Sequence, residues 1–264
     1  MSVIYALKIT THPINFKQYL NPSFKIAFRI LEQHTTMKKY VIIGGSKGIG
    51  KETAELLASE GNEVTVFSRT PYEGPAHSIN WEEFDVLSDD WEDRMPENID
   101  GLVYSVGSIQ LKPFRGLKPE TFESDFQLQV IGAVKALQAA YKNFNTEGVP
   151  SVVLYSTVAV QRGMPFHATV SASKGAIEGL TRAIASEWAP KARINCIAPS
   201  LTDTPLAAKL LSTPEKKTAI GNNNPMKRVG EPADIAEMTA FLLGDKASWM
   251  TGQIIHIDGG QSVL

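Results

Sequence analysis

From Met37 onward the chain alternates between two kinds of segment. Short runs rich in Val and Ile (Tyr40–Ile43, Glu63–Phe67, Gly101–Tyr104, Ser151–Tyr155, Arg193–Ile197 and Ile254–Ile257) are continuously apolar rather than alternating in polarity. Strands covered on both faces read this way. Between them, Lys51–Glu60, Thr121–Asn145, Ser171–Ala189 and Pro232–Leu243 are helix-length segments, with apolar residues such as Ile177, Leu180 and Ile184 at helical spacing. Pro and Gly clusters fall between the segments, and no internal repeat or low-complexity tract interrupts them. This βαβα order predicts an α/β fold: a three-layer, doubly wound parallel sheet of Rossmann type in one domain.

Composition narrows the class. With 264 residues, 43% hydrophobic and 20% charged, the chain is long enough to bury a sizeable core without cross-links. A net charge of −2 argues against general binding to nucleic acid or anionic membrane, since both need a basic surplus. The lone cysteine, Cys196, excludes an internal disulfide and any cysteine-rich metal site, so no metal is expected and a reducing, cytoplasmic setting is. No apolar run approaches the roughly 18 residues of a membrane span.

Charge also divides the chain. Residues 1–36 carry +3, leaving −5 for residues 37–264, and a second methionine, Met37, stands at the boundary. The first segment is an N-terminal extension with three open readings: an addition outside the fold, a docked amphipathic helix built on Phe24, Ala27, Phe28 and Leu31, or a targeting segment.

The candidate chemistry begins at Gly44-Gly45-Ser46-Lys47-Gly48-Ile49-Gly50, which follows the first strand and opens the first helix. Glycines at 44, 48 and 50 permit a tight turn, close approach of backbone to a pyrophosphate, and tight helix–strand packing, while the helix N-terminus offers free N–H groups. The position of the turn, between strand and helix, makes the signal a strong one.

This glycine spacing resembles the short-chain dehydrogenase/reductase family, and the resemblance covers essentially all of residues 37–264. It includes Asp85-Val86 after a third strand, Lys174 within Ser-Ala-Ser-Lys-Gly-Ala, Asn195-Cys196-Ile197-Ala198-Pro199, and the tail Gly252-Gln253 with Asp258-Gly259-Gly260. Members that bind NAD carry an acid at the end of the second strand; here stand Ser68 and Arg69, with Lys47 inside the glycine turn. Two cations would pair with a 2′-phosphate that an acid would repel, so NADP(H) is the expected cofactor. The resemblance further implies that Ser46 and Ile49 belong to the phosphate turn and that Asp85 and Val86 meet the adenine. It places Gly107 by the ribose, and Pro199, Thr202 and Thr204 by the carboxamide. Ser200 replaces a customary Gly, and Tyr104-Ser105-Val106-Gly107 replaces the usual Asn-Asn-Ala-Gly.

The catalytic centre departs from the pattern. The family reduces carbonyls with a tyrosine acid, a lysine four residues later, a serine that holds the substrate oxygen and a supporting asparagine. Counting back from Lys174 lands on Val170, and no tyrosine follows Tyr155. Thr157 stands at the serine position and Gln129 at the asparagine position. His167, seven residues before Lys174, is the candidate substitute acid, on the lysine's face if the helix has begun. That spacing is similar to the bacterial enoyl-reductase branch. Tyr104 and Tyr155 end adjacent strands and are expected to be packed, and Cys196 is expected in the core.

Two functions follow. One is an NADP(H)-dependent oxidoreductase acting on a small carbonyl or enone, with Thr157, Lys174, His167 and Gln129 as its catalytic set. The other is a catalytically silent NADP(H)-binding protein, a sensor or partner subunit. The resemblance also implies a homodimer or homotetramer built on the helices Thr121–Asn145 and Ser171–Ala189, and a polar, solvent-facing lid near residues 206–224.

Overall fold

In a computed structural model, which describes residues 37–75, 79–91 and 93–264, seven strands form one sheet. In chain order they are β1 (Lys39–Ile43), β2 (Glu63–Ser68), β3 (Ile79–Glu83), β4 (Gly101–Tyr104), β5 (Ser151–Tyr155), β6 (Arg193–Pro199) and β7 (Ile254–Ile257). All pair in parallel, in the spatial order 3-2-1-4-5-6-7. The predicted doubly wound sheet is thus present within Lys38–Leu264, which packs as one unit. The N-terminal extension lies outside the described residues.

Continuous apolarity in the strands has a direct structural consequence. Because alternate side chains of a strand point to opposite faces, Val41 and Ile43 enter one core while Tyr40 and Ile42 enter another. The first core packs under the long helices; the second packs under α1 (Gly48–Ser59) and α7 (Pro232–Leu243) through Ala54, Leu57, Ile235 and Leu242. The strand order reverses between β1 and β4, and the carboxyl ends of strands at such a switch point are where this architecture opens a crevice.

The expected helix Thr121–Asn145 is corrected in kind. It consists of α2 (Pro119–Phe126), a π-turn over Gln127–Ile131, and α3 (Gly132–Lys142). The π-turn frees backbone carbonyls, and the Leu128 carbonyl accepts a bond from Tyr104 Oη at 2.6 Å. Such a turn leaves no trace in apolar periodicity, and such turns gather at functional sites. The helix expected at Ser171–Ala189 is α5, Ala168–Trp188. The remaining helices are α4 (Val158–Arg162) and α6 (Pro214–Asn222).

Candidate active site

The glycine turn is shaped to receive an anion. Gly44 has φ +84°, a backbone conformation that favours glycine. At Gly50 a Cβ would stand 2.5 Å from the Gly44 carbonyl, so the helix closes on the turn only without a side chain there. Lys47 is the N-cap of α1 and makes no side-chain cap bond, leaving the first N–H groups of the helix to a ligand. From the other side Thr204 reaches Gly48, where a Cβ would lie 3.3 Å from the threonine Cβ. These are the features that the pyrophosphate of a dinucleotide requires.

At the end of β2, Ser68 Oγ donates to the Thr70 carbonyl at 2.8 Å and accepts from the Trp81 indole N–H at 2.9 Å. Ser46 Oγ and Thr70 Oγ1 lie 3.0 Å apart. Lys47 and Arg69 are exposed, and neither enters an ion pair among the described residues. Asp85 holds its own turn, accepting from the Leu87 N–H at 3.0 Å, and Val86 is buried.

Beside the turn, a cavity of about 390 Å³ lies over the carboxyl ends of β4, β5 and β6. Ile49, Gly107, Gln129, Thr157, His167, Lys174, Pro199, Thr202 and Thr204 all line it. Gly44, Ser46, Lys47, Gly48, Gly50, Ser68, Arg69, Asp85 and Val86 are not among its walls. One chamber thus collects the expected catalytic set together with the residues expected at the nicotinamide, while those expected at the phosphates and adenine follow the ends of β1, β2 and β3.

Its chemistry is sparse. The titratable lining residues are Tyr155, His167, Lys174 and Arg228. Arg228 is engaged with Asp234 through two contacts of 2.6 and 2.7 Å. Tyr155 is a poor proton donor: its hydroxyl is bonded to Thr239 Oγ1 at 2.8 Å, and burial pushes its pKa up to about 12. Burial pushes Tyr104 up as well. Val170, at the usual tyrosine position, is buried. Burial lowers Lys174 to about 8.

Thr157 is the N-cap of α4, where its Oγ1 accepts from the Ala159 N–H at 3.3 Å. That bond uses an oxygen lone pair and leaves the hydroxyl proton free for a ligand oxygen. His167 is the residue just before α5 rather than inside its first turn, which corrects the condition attached to its helical register. It reaches the same cavity as Lys174 nonetheless. Its Nδ1 lies 2.7 Å from the Pro165 carbonyl. A carbonyl only accepts, so Nδ1 carries a proton and Nε2 is the nitrogen free for a ligand.

A polar cluster beneath this chamber was not expected from the sequence. Asp125, buried on α2, accepts from Ser108 Oγ, from Gln129 Nε2 at 2.7 Å and from Ser173 Oγ at 2.7 Å. The available signal was an acid four residues before Gln129, a spacing that puts both on one helix face. The lid also differs from expectation. Lys217 does face outward, paired with Asp203 at 2.6 Å, but Leu206, Ala207, Leu210 and Ile220 line the cavity. Its inner face is apolar.

Residues 44–262 match the family model described as Enoyl-(Acyl carrier protein) reductase. A tropinone reductase homolog of Arabidopsis thaliana is 32% identical, over 84% of this chain and 92% of the relative. Among solved structures, ligand-free aldohexose dehydrogenase of Thermoplasma acidophilum superposes with a TM-score of 0.80 at 27% identity, covering 88% of this chain and 96% of the other. ElxO with NADP bound superposes with a TM-score of 0.75 at 25% identity, covering 86% and 99%.

Proposed function

Because the chain belongs to the short-chain dehydrogenase/reductase family of nicotinamide-dependent oxidoreductases, we propose that it is an NADP(H)-dependent enzyme acting on an apolar carbonyl or enone with a proton donor other than tyrosine. The observation that carries this reading is the shared chamber. Thr157, Lys174, His167 and Gln129 line one apolar-walled cavity that continues to Ile49 and Thr204 at the glycine turn.

The exposed cations Lys47 and Arg69, without an ion partner among the described residues, favour the 2′-phosphorylated cofactor, because each offers a charge that a phosphate can pair with. Their support is electrostatic and joins the turn geometry, which fits the pyrophosphate of either dinucleotide. When bound, NADP(H) supplies or accepts the hydride; the protein supplies the rest. Thr157 donates a hydrogen bond from its hydroxyl to the substrate oxygen and keeps its proton. His167, with Nδ1 held on Pro165, works as an acid through Nε2–H of its imidazolium form. Lys174 supports the ribose side of the cofactor and adds positive charge beneath the site. An enone suits this set, since the developing enolate oxygen needs hydrogen-bond donors more than an aligned tyrosine. The apolar walls, from Ile109, Leu111 and Met164 to the inner lid, match an apolar body on that substrate.

The helix pair formed by α3 and α5 is proposed to join copies into a homodimer or homotetramer, which light scattering reads directly. The decisive experiment for the function follows NADPH oxidation across ketones, quinones and conjugated enones. Turnover on an apolar enone or ketone supports the proposal. Tight NADPH binding without turnover on any of them would instead identify a silent cofactor-binding protein.

A further inference from the structure

Gln129 is wholly buried, yet its Oε1 has no hydrogen-bond partner among the described residues. The reason lies one helical turn earlier. The Asp125 carboxylate can only accept, so it draws the amide N–H₂ of Gln129 toward itself, with Nε2 at 2.7 Å. Ser108 and Ser173 also donate to that carboxylate and hold it from two further elements. With Nε2 committed, Oε1 must point the other way. A point one bond above the Gly107 Cα lies 3.3 Å from Gln129 Oε1 and 3.8 Å from Lys174 Nζ. An acceptor and a donor therefore flank one small gap above Gly107.

We propose that Asp125 is a positioning residue that locks the Gln129 amide, so that Gln129 Oε1 and Lys174 Nζ together hold one hydroxyl group or water above Gly107. A hydroxyl suits the gap because it donates to one neighbour and accepts from the other. An unmet buried carbonyl is costly, so the gap has a standing preference for such an occupant. The occupant rests on the functional reading given above: with cofactor present it is a ribose hydroxyl or a bridging water, and without cofactor it is water. The orientation of the amide does not depend on that reading.

The first measurement is therefore made on the cofactor-free protein: the titration midpoint of Lys174, observed by NMR of lysine labelled with ¹⁵N at Nζ. The titratable groups facing Lys174 are Asp125, Cys196 from β6, Tyr155 from β5 and His167 at the head of its own helix. Asp125→Asn removes both the charge and the reason for the amide to stay aligned, and is expected to lower the midpoint by about half a unit or more. Adding Gln129→Glu to it exchanges carboxylate and amide, restores a donor–acceptor pair between the two positions, and is expected to raise the midpoint above wild type. A second measurement, NADPH binding by fluorescence, is expected to weaken about tenfold in Asp125→Asn, in line with the loss of one charge-assisted contact, and to recover in the double variant.

A midpoint unchanged in a folded Asp125→Asn protein overturns the proposal. If that variant does not fold, Gln129→Met serves instead: it deletes Oε1 and leaves Asp125 in place, and an unmoved Lys174 midpoint again overturns it. Wild-type protein that fails to bind NADPH while the midpoints shift as expected defeats the functional reading alone.

Discussion

The Tyr104 hydroxyl donates to the Leu128 carbonyl at 2.6 Å, tying the end of a central strand to the π-turn that carries Gln129. Gly132 follows the turn directly, and a Cβ there would collide with the Tyr104 hydroxyl. Strand end, π-turn and glycine form one device. Tyr104→Phe leaves the Leu128 carbonyl without this donor and is expected to cost about 1–3 kcal/mol. Gly132→Ala is expected to cost more, and the double variant less than Gly132→Ala alone, because removing the hydroxyl opens room for the new methyl. Urea unfolding of the three variants checks this; additive losses would count against the coupling.

Thr157 makes a sharper prediction about chemistry. Its oxygen already serves the Ala159 N–H, so Thr157→Ser keeps both the cap and the donor, whereas Thr157→Val loses both. Turnover on a reducible substrate is expected to fall about 10²–10³-fold in Thr157→Val and to stay within severalfold of wild type in Thr157→Ser. NADPH affinity should change little in either. A Thr157→Val enzyme at full rate would remove the hydroxyl from the reaction.

For His167, the test is loss of the proton donor. With Nδ1 turned to the Pro165 carbonyl, only Nε2 can serve the substrate. His167→Ala is expected to lower the rate of reduction about 10²–10⁴-fold, the usual contribution of a positioned general acid. His167→Gln, which offers an amide hydrogen bond but no acid, should resemble Ala. Full turnover in His167→Ala would assign protonation to solvent, with Thr157 as the sole oxygen ligand.

The architecture was legible from the strands because central strands buried on both faces have no polar alternation to confuse the reading, and the glycine turn was legible because backbone geometry leaves few residue choices. Val170 was legible as a gap, since a missing tyrosine needs only counting. Asp125 was not, because its importance arises from contacts with Ser108 and Ser173, which are 17 and 48 residues away in the chain. The apolar inner face of the lid was masked by lysines on its outer side, and α6 is too polar and too short for periodicity to separate its two faces.

Lys47 and Arg69 should decide between the two dinucleotides. Both are exposed and without an ion partner among the described residues, so their loss should not disturb the fold. Arg69→Asp places repulsion where a bidentate pair is expected, and NADPH binding should weaken about 10–100-fold while NADH binding holds or improves. Lys47→Ala should show a smaller loss, confined to NADPH. Titrations of both cofactors in low and moderate salt check this, and equal losses for NADH and NADPH would show that these cations do not read the 2′-phosphate.

Lys174 gives a pH dependence whose sign follows from its burial. Burial in the folded protein lowers its pKa from the ordinary 10.5 to about 8, while Cys196 and Asp125 act in the opposite direction. Between those two values the unfolded chain binds a proton that the folded one has released. Stability in the absence of cofactor therefore rises with pH across that window, and below pH 8 the folded state carries the full cost of a buried ammonium. Lys174→Met keeps most of the length of the side chain, drops the amine and removes that cost. It is expected to raise the melting temperature of cofactor-free protein at pH 7, by about 2–4 °C for each kcal/mol relieved in a domain of this size. At pH 10.5 the gain should shrink toward zero, because the wild-type amine is then neutral in the folded state too. Other groups that titrate in the same range act on both proteins and drop out of the difference. A gain of equal size at both pH values would mean that packing rather than charge accounts for it. The same variant should bind NADPH more weakly while folding more tightly, which places the cost of the buried charge on the side of function.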